Sequence, residues 1–169
     1  MSLAHQIRER APVVGVTWHP YAELFHWIEG PAFEALKADI AKNGVLEPIV
    51  FLDGAILDGR NRYMAARELG IEYPRVEYQG DDPLGFVISL NLKRRHLTES
   101  QRGMVAAKLA KLPQGARTDL EHRANLHEVS AAQAADMLNV SERTVKTAKQ
   151  VQDKGAPELV AAVETGQVS

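Results

Sequence analysis

Residues 48–70 read Pro-Ile-Val-Phe-Leu-Asp-Gly-Ala-Ile-Leu-Asp-Gly-Arg-Asn-Arg-Tyr-Met-Ala-Ala-Arg-Glu-Leu-Gly, and this stretch decides the fold. Pro48–Leu52 and Ala55–Leu57 are two short apolar runs that read as strands. Asp53-Gly54 between them is a two-residue hairpin signal, because both turn positions need positive φ. That turn accounts for Asp53. After Asp58-Gly59 the apolar period changes from strand to helix over Arg60–Leu69, and Gly70 closes the helix. A strand therefore ends, a glycine turns the backbone and a helix begins. Helix N-termini bind anions through unpaired N–H groups and the dipole. Arg60 and Arg62 in that first turn would add charge-assisted hydrogen bonds. They run against the dipole preference, a cost that an anion offsets. A plain surface helix start has the same pattern. Asp58 is either a helix cap, the commoner case, or a metal ligand.

On the N-terminal side, Val13–Trp18 reads as a first strand, ended by His19-Pro20. Pro31 opens a helix in which Phe33, Leu36 and Ile40 recur at helical spacing, and Asn43-Gly44 stops it. Trp18 and Trp27 are expected in the core. On the other side, Arg75–Tyr78 is a short strand. Asp82 caps and Pro83 opens a helix over Leu84–Leu92, apolar nearly all round and therefore expected to be buried. Thr98 with Gln101 forms a capping box for a helix running to about Leu112, before Pro113. Residues 113–128 read as a loop or hinge. Ser130 with Gln133 makes a second capping box, two short helices follow, and a third opens near Pro157. The fold class is α+β: a small mixed-sheet domain over 1–91, then an all-helical domain over 92–169.

The 169 residues carry a formal charge of −2 and no cysteine. Disulfides, thiolate metal sites and thiol catalysis are excluded. No apolar run approaches the roughly 20 residues that span a bilayer, and MSLAHQIRER has no secretory apolar region. Met1-Ser2-Leu3 could be an expression remnant. The charge is unevenly spread. Residues 1–82 hold 8 Lys/Arg against 13 Asp/Glu, and residues 83–169 hold 12 against 9. Lys93, Arg94, Arg95, Arg102, Lys108 and Lys111 accompany a single acid, Glu99, within 93–111. A phosphate-facing surface needs such a cluster, although a solvated helix face also shows it. The six histidines are scattered. His122 and His127 are five apart in the loop, so no structural metal is expected. His96, beside Arg94-Arg95, suits phosphate contact better than catalysis. No serine–histidine–aspartate order or carboxylate pair stands out.

Ala131–Gln150 reads as a helix-turn-helix. Ala135 is small where the helices cross, and Asn139 can adopt the left-handed conformation of the turn. Met137 or Leu138, Val140 and Val145 supply the shared core, and Ser141 caps the second helix. That helix presents Glu142, Arg143, Thr144, Lys146, Thr147, Lys149 and Gln150, side chains suited to base edges and phosphates of the major groove. With Ser141, Arg95 and Arg102 these are the candidate contacts to double-stranded DNA. An ordinary helical hairpin is the alternative.

The order of motifs resembles the N-terminal region of the ParB partition-protein family, itself related to sulfiredoxins. Gly44-Val45-Leu46-Glu47-Pro48-Ile49 resembles its Gly-Leu-Ile-Gln-Pro-Ile segment. Asp58-Gly59-Arg60-Asn61-Arg62-Tyr63 with Ala65-Ala66 resembles its Gly-Glu-Arg-Arg-x-x-Ala phosphate motif. Asn91-Leu92-Lys93-Arg94 with Leu97 resembles its Glu-Asn-x-x-Arg-x-x-Leu motif, and the helix-turn-helix follows in its usual place. The resemblance spans roughly residues 12–165.

It implies a DNA-binding clamp that takes CTP with Mg²⁺, acting in plasmid or chromosome partition or as a transcriptional regulator on a mobile element. Gly59, Arg60, Asn61 and Arg62 would lie at the triphosphate, and Gly44, Glu47 and Pro48 near the base. Asn91 would lie near the metal and Arg94 near phosphate or the neighbouring helix. The resemblance also implies a cytoplasmic protein associated with nucleoid or plasmid, homodimeric in full-length form, with no membrane partner. A C-terminal dimerisation domain is expected beyond Ser169. Three departures stand out: Leu90 replaces an acid, Asn61 an arginine and Glu47 a glutamine. Leucine offers Mg²⁺ no oxygen, so the chain reads as at most a weak nucleoside triphosphatase. Without cysteine, sulfiredoxin chemistry is excluded. Two alternatives remain: a metal-dependent nuclease or small-molecule kinase on the same domain, and a DNA-binding relative without nucleotide.

Overall fold

The structure is a computed structural model, described for residues 16–112 and 129–168. Met1-Ser2-Leu3, the start of the expected first strand, the 113–128 loop, His122 and His127 lie outside the described residues. The chain forms two compact units, one of residues up to 23 with 27–83, the other of 24–26 with 84 onward. The sequence reading placed this division at residue 91.

The first unit is a four-stranded mixed sheet with two helices. Strands β1 (Thr17–Trp18), β2 (Ile49–Leu52), β3 (Ala55–Asp58) and β4 (Arg75–Glu77) lie in the order β1-β3-β2-β4. β2 and β3 are the antiparallel hairpin, and β1 and β4 flank it in parallel. The turn is the expected one, with Asp53 at φ 49° and Gly54 at φ 80°. The register slips between Val50 and Phe51. Helices α1 (Gly30–Asn43) and α2 (Arg60–Leu69) pack against each other. Phe33 and Ile40 of α1, Ile49, Phe51 and Ile56 of the hairpin, and Tyr63 to Ala66 of α2 form the core. Trp18 and Trp27 are only partly buried and pack against this core, their rings edge-on at 5.6 Å. Indole is too large to be enclosed easily in so small a unit.

A feature absent from the sequence reading is a 3-10 turn over Pro20–Glu23. His19 Nδ1 accepts the Tyr21 N–H at 3.2 Å at its start. The imidazole is 3% exposed, and its Nε2 is buried without a hydrogen-bond partner. Burial holds the His19 pKa down at about 4, the Asp53 carboxylate opposing this only in part.

The second unit is helical: α3 (Pro83–Arg94, from Leu84 onward), α4 (Glu99–Leu109), α5 (Ala131–Leu138), α6 (Glu142–Lys154) and α7 (Pro157–Thr165). α3 departs from expectation. Only Leu84, Val87 and Ile88 are buried, whereas Phe86, Leu90 and Leu92 remain partly exposed. Leu84, Val87 and Ile88 fall on one helical stripe, so packing has covered one face rather than the whole circumference. Thr98–Gln101 and Ser130–Gln133 form both capping boxes in full. α4 supplies the centre of the unit with Met104, Val105, Ala106, Ala107 and Leu109, against Ala134, Ala135, Leu138, Val145 and Ala148. A Cβ added to Gly103 would lie 2.8 Å from Thr144 Cγ2, so glycine is what lets α4 and α6 approach there. Glu164 anchors α7, with its Oε1 2.7 Å from Lys108 Nζ and its Oε2 3.6 Å from His26 Nδ1. Burial pushes the Glu164 carboxyl up, but His26 and Lys108 together outweigh it and hold the pKa below the usual range. No helix among the described residues is long and apolar enough to cross a membrane.

Candidate nucleic-acid interface and anion site

α5 and α6 meet through a short connection in which Asn139 takes φ 51° and ψ 56°, the left-handed region expected of it. Ser141 then caps α6, its hydroxyl accepting the Thr144 N–H at 3.1 Å. Val145 and Ala148 face inward. Arg143, Lys146, Thr147 and Gln150 are exposed and recur at i, i+3, i+4 and i+7, which places them on one stripe. Glu142 and Lys149 are exposed on the flank. A satisfied N-terminus, a packed back and a polar front are what a groove-reading helix requires.

Two residues expected on that surface have other partners. Thr144 Oγ1 donates to Glu99 Oε1 on α4 at 3.0 Å and shares a 2.8 Å hydrogen bond with Ser141 Oγ. Its methyl faces Gly103. Ser141 and Thr144 therefore position α6 rather than lie on its exposed stripe. The basic cluster of 93–111 also disperses. Lys108 pairs with Glu164 at 2.7 Å and Lys111 with Asp153 at 2.6 Å. The Lys111 hydrogen bond lowers the Asp153 pKa. Arg95 Nη1 donates to the His26 carbonyl at 2.6 Å, and its guanidinium lies 6.0 Å from the Phe25 ring. Arg102 is half-buried, with its Nε enclosed and without a hydrogen-bond partner. Lys93, Arg94 and His96 are exposed. Asn91 Nδ2 donates to the Val87 carbonyl of its own helix at 2.9 Å.

In the first unit, β3 ends at Asp58 and Gly59 turns at φ 95°, where a side chain is strained. A Cβ at Gly59 would lie 3.0 Å from Arg62 Nη2 and 3.4 Å from Ile49 Cα. No side chain caps α2. The three side chains of its first turn all bind within their own unit. Arg60 is 5% exposed, its guanidinium stacked 4.1 Å from the centre of the Trp27 ring. Asn61 Oδ1 accepts the Ile28 N–H at 3.2 Å. Arg62 reaches the Asp58 carboxylate at 3.2 Å, the Glu47 carboxylate at 3.3 Å and the Pro48 carbonyl at 3.1 Å. Its Nε is buried without a hydrogen-bond partner. Asp58 is thus an ion-pair partner of α2. Gly44 ends α1 at φ 73°, and Leu46 beside it is 76% exposed.

These residues fit a phosphate at the Gly59–Arg62 turn: the absence of a Cβ at Gly59 lets the Arg62 guanidinium lie close against the turn, and Arg62 Nε is buried without a hydrogen-bond partner. They fit Mg²⁺ less well, because no group of three or more histidines or carboxylates clusters among the described residues. Asn91 and Arg94 belong to the second unit, and the other residues expected at a nucleotide belong to the first. Sequence reading missed the partners of Arg60, Asn61 and Arg95. These lie 33, 33 and 69 positions away, at Trp27, Ile28 and His26, and two are backbone groups that no motif encodes. The Glu47–Arg62 pair had one signal, the acid standing where the resembling segment has glutamine.

Three comparisons with known proteins complete this description. No protein-family model matches the sequence. An uncharacterized protein of Acidianus two-tailed virus, ORF326b, is 38% identical over 78 residues, 43% of this chain and 24% of that protein. The chain thus matches about a quarter of that relative's length. Among solved structures, the C-terminally truncated chromosome-partitioning protein ParB from Caulobacter crescentus, complexed with CTP-gamma-S, aligns with a TM-score of 0.42 at 20% identity. That alignment covers 94% of this chain and 85% of the other.

Proposed function

We propose that this chain is a ParB-like protein that binds double-stranded DNA through α6 and takes a nucleotide triphosphate at the Gly59–Arg62 turn. The observation that carries the DNA reading is the exposed stripe Arg143, Lys146, Thr147 and Gln150. It lies on a helix fixed from behind by Val145, Ala148 and the Thr144–Glu99 hydrogen bond. In a major groove, Arg143 and Gln150 have the donor geometry for base edges, and Lys146 suits a phosphate. Lys93 and Arg94 are further exposed bases of the same unit. The nucleotide reading is supported by the motif order, by the glycine at the turn and by the unpaired Arg62 Nε. CTP with Mg²⁺ is the nucleotide that the resemblance names. The biological role proposed is partition of a replicon or regulation on a mobile element, in the cytoplasm and as a homodimer.

Fluorescence anisotropy of the full chain against a double-stranded DNA library, at about 50 and 200 mM salt, tests the DNA reading. Saturable binding that weakens steeply with salt and is reduced in Arg143→Ala is expected. Absence of salt-dependent binding overturns it. The engagement of Arg60, Asn61 and Arg62 within their own unit favours a second reading, DNA binding without nucleotide. Calorimetric titration with CTP, ATP and GTP in Mg²⁺ separates the two.

A further inference from the structure

The guanidinium of Arg62 is held by two carboxylates that differ in kind. Asp58 ends β3, and its side chain is 8% exposed. It is four residues before Arg62 in the chain, and its hydrogen bond to Arg62 is part-buried. Glu47 comes from the segment before β2, and its side chain is 59% exposed. An enclosed ion pair is hard to break because each charge left behind is poorly solvated. An exposed one is worth ~0–1 kcal/mol and exchanges readily. Arg62 therefore has one fixed anionic partner and one exchangeable one.

The exchangeable partner meets Nη1, whereas Asp58 and the Pro48 carbonyl meet Nη2, the nitrogen that a Cβ at Gly59 would approach to 3.0 Å. Nη1 is therefore the arm that can change partners while Asp58 keeps its hold. We infer that Glu47 is a tethered competitor for this site: its carboxylate holds Arg62 in place of a phosphate, and a phosphate-bearing ligand binds by displacing it. The inference rests on the nucleotide reading above and deepens it. Asp58 keeps Arg62 aimed at the turn whichever anion meets Nη1. Glu47 sets how much ligand is needed.

Two effects act together when Glu47 loses its charge. The guanidinium no longer has to exchange partners, and the incoming phosphates no longer meet a fixed negative charge. Glutamine keeps the size of the side chain, and the position is exposed, so folding is preserved. The like-for-like control is Glu72→Gln, which makes the same change of net charge at an exposed position with no ion pair among the described residues.

The experiment is calorimetric titration of the full chain with CTP in Mg²⁺ and, separately, with inorganic triphosphate. The wild type, Glu47→Gln and Glu72→Gln are compared. Glu47→Gln is expected to bind both probes roughly five- to tenfold more tightly, from the exposed pair and the removed repulsion. Glu72→Gln is expected to match the wild type. An equal or weaker affinity for Glu47→Gln, with the wild type binding, overturns the competitor and leaves the nucleotide reading intact. An equal gain in Glu72→Gln assigns the effect to net charge and overturns it too. If no variant binds either probe, both the competitor and the nucleotide reading fall.

Discussion

The first turn of α2 and the first turns of α6 use similar residues to opposite ends. Each follows a chain reversal in the left-handed region, at Gly59 and at Asn139, and each opens with arginine and polar side chains. In α2 those side chains turn inward, Arg60 onto Trp27, Asn61 onto the Ile28 N–H and Arg62 onto the Asp58 carboxylate, the Pro48 carbonyl and the Glu47 carboxylate. In α6 the cap is a serine, the inward positions are Val145 and Ala148, and Arg143 and Lys146 are left outside. A basic cluster at a helix start is thus not one feature. Whether it holds the fold together or faces a partner depends on what lies within reach of its side chains.

That contrast is sharpest for stability. Removing Arg62 leaves Asp58, whose side chain is 8% exposed, without its guanidinium. Arg62→Ala is expected to destabilise the first unit by about 3 kcal/mol, the usual cost of orphaning a largely buried partner. Both tryptophans, Trp18 and Trp27, lie in that unit, so urea unfolding followed by their fluorescence reports it separately. Lys146→Ala breaks only an exposed 3.9 Å pair with Glu142 and is expected to change stability by less than ~0.5 kcal/mol. Equal losses for the two variants would break the comparison.

The inward-facing character of the first unit extends to His19. The folded imidazole titrates at about 4, against roughly 6.5 when unfolded. Between those values the unfolded chain binds the proton and the folded one does not, so stability falls as pH drops. The contribution is complete above about pH 6.5 and is lost progressively down to about pH 4, a difference of about 3 kcal/mol at ~1.4 kcal/mol per pH unit. Tryptophan-monitored urea unfolding at pH 7, 5.5 and 4 checks it. His19→Gln is expected to flatten that part of the pH dependence. An unchanged slope in the variant would assign the acid sensitivity elsewhere.

For the outward-facing helix the expected loss is in binding. Arg143→Ala should weaken DNA affinity by about 1–3 kcal/mol while leaving the unfolding transition in place. Thr144→Val should do the reverse, loosening the hydrogen bond to Glu99 with little direct effect on DNA contacts. Anisotropy and thermal melting on the same samples separate them.

What the sequence made legible follows the range of the interaction. The hairpin at Asp53-Gly54, the capping boxes at Thr98 and Ser130, the Asn139 turn and the Ser141 cap are set by residues within four positions of one another, and each was expected where it occurs. Packing partners were not legible. Periodicity marked Leu84–Leu92 as apolar but could not say which stripe would be covered. Charge counting grouped the bases of 93–111 but could not show that Lys108 and Lys111 pair with Glu164 and Asp153 from helices more than 40 positions away. The same limit applies at the anion site. Gly59 to Arg62 could be read as a phosphate-binding turn, whereas the hold of Trp27 on Arg60 depends on tertiary folding.

The smallest effect tests the turn that presents α6. Asn139 sits at φ 51° and ψ 56°, where its N–H caps α5 through the Ala135 and Asp136 carbonyls. The Val140 N–H then bonds back to the Ala135 carbonyl at 3.0 Å. Those bonds are made by backbone, so they survive substitution if the residue tolerates the left-handed region. Asn139→Ala should therefore cost about 1 kcal/mol through conformation alone. Asn139→Gly removes the Cβ penalty while adding unfolded-state entropy, and should fall within ~0.5 kcal/mol of the wild type. Neither change alters a side chain on the stripe of Arg143, Lys146, Thr147 and Gln150, so DNA affinity of the folded protein should hold in both. If Asn139→Gly instead lost binding while keeping its melting temperature, the asparagine side chain itself would belong to the interface, and the separation between the turn that builds α6 and the face proposed to read DNA would have to be redrawn two residues earlier than Ser141.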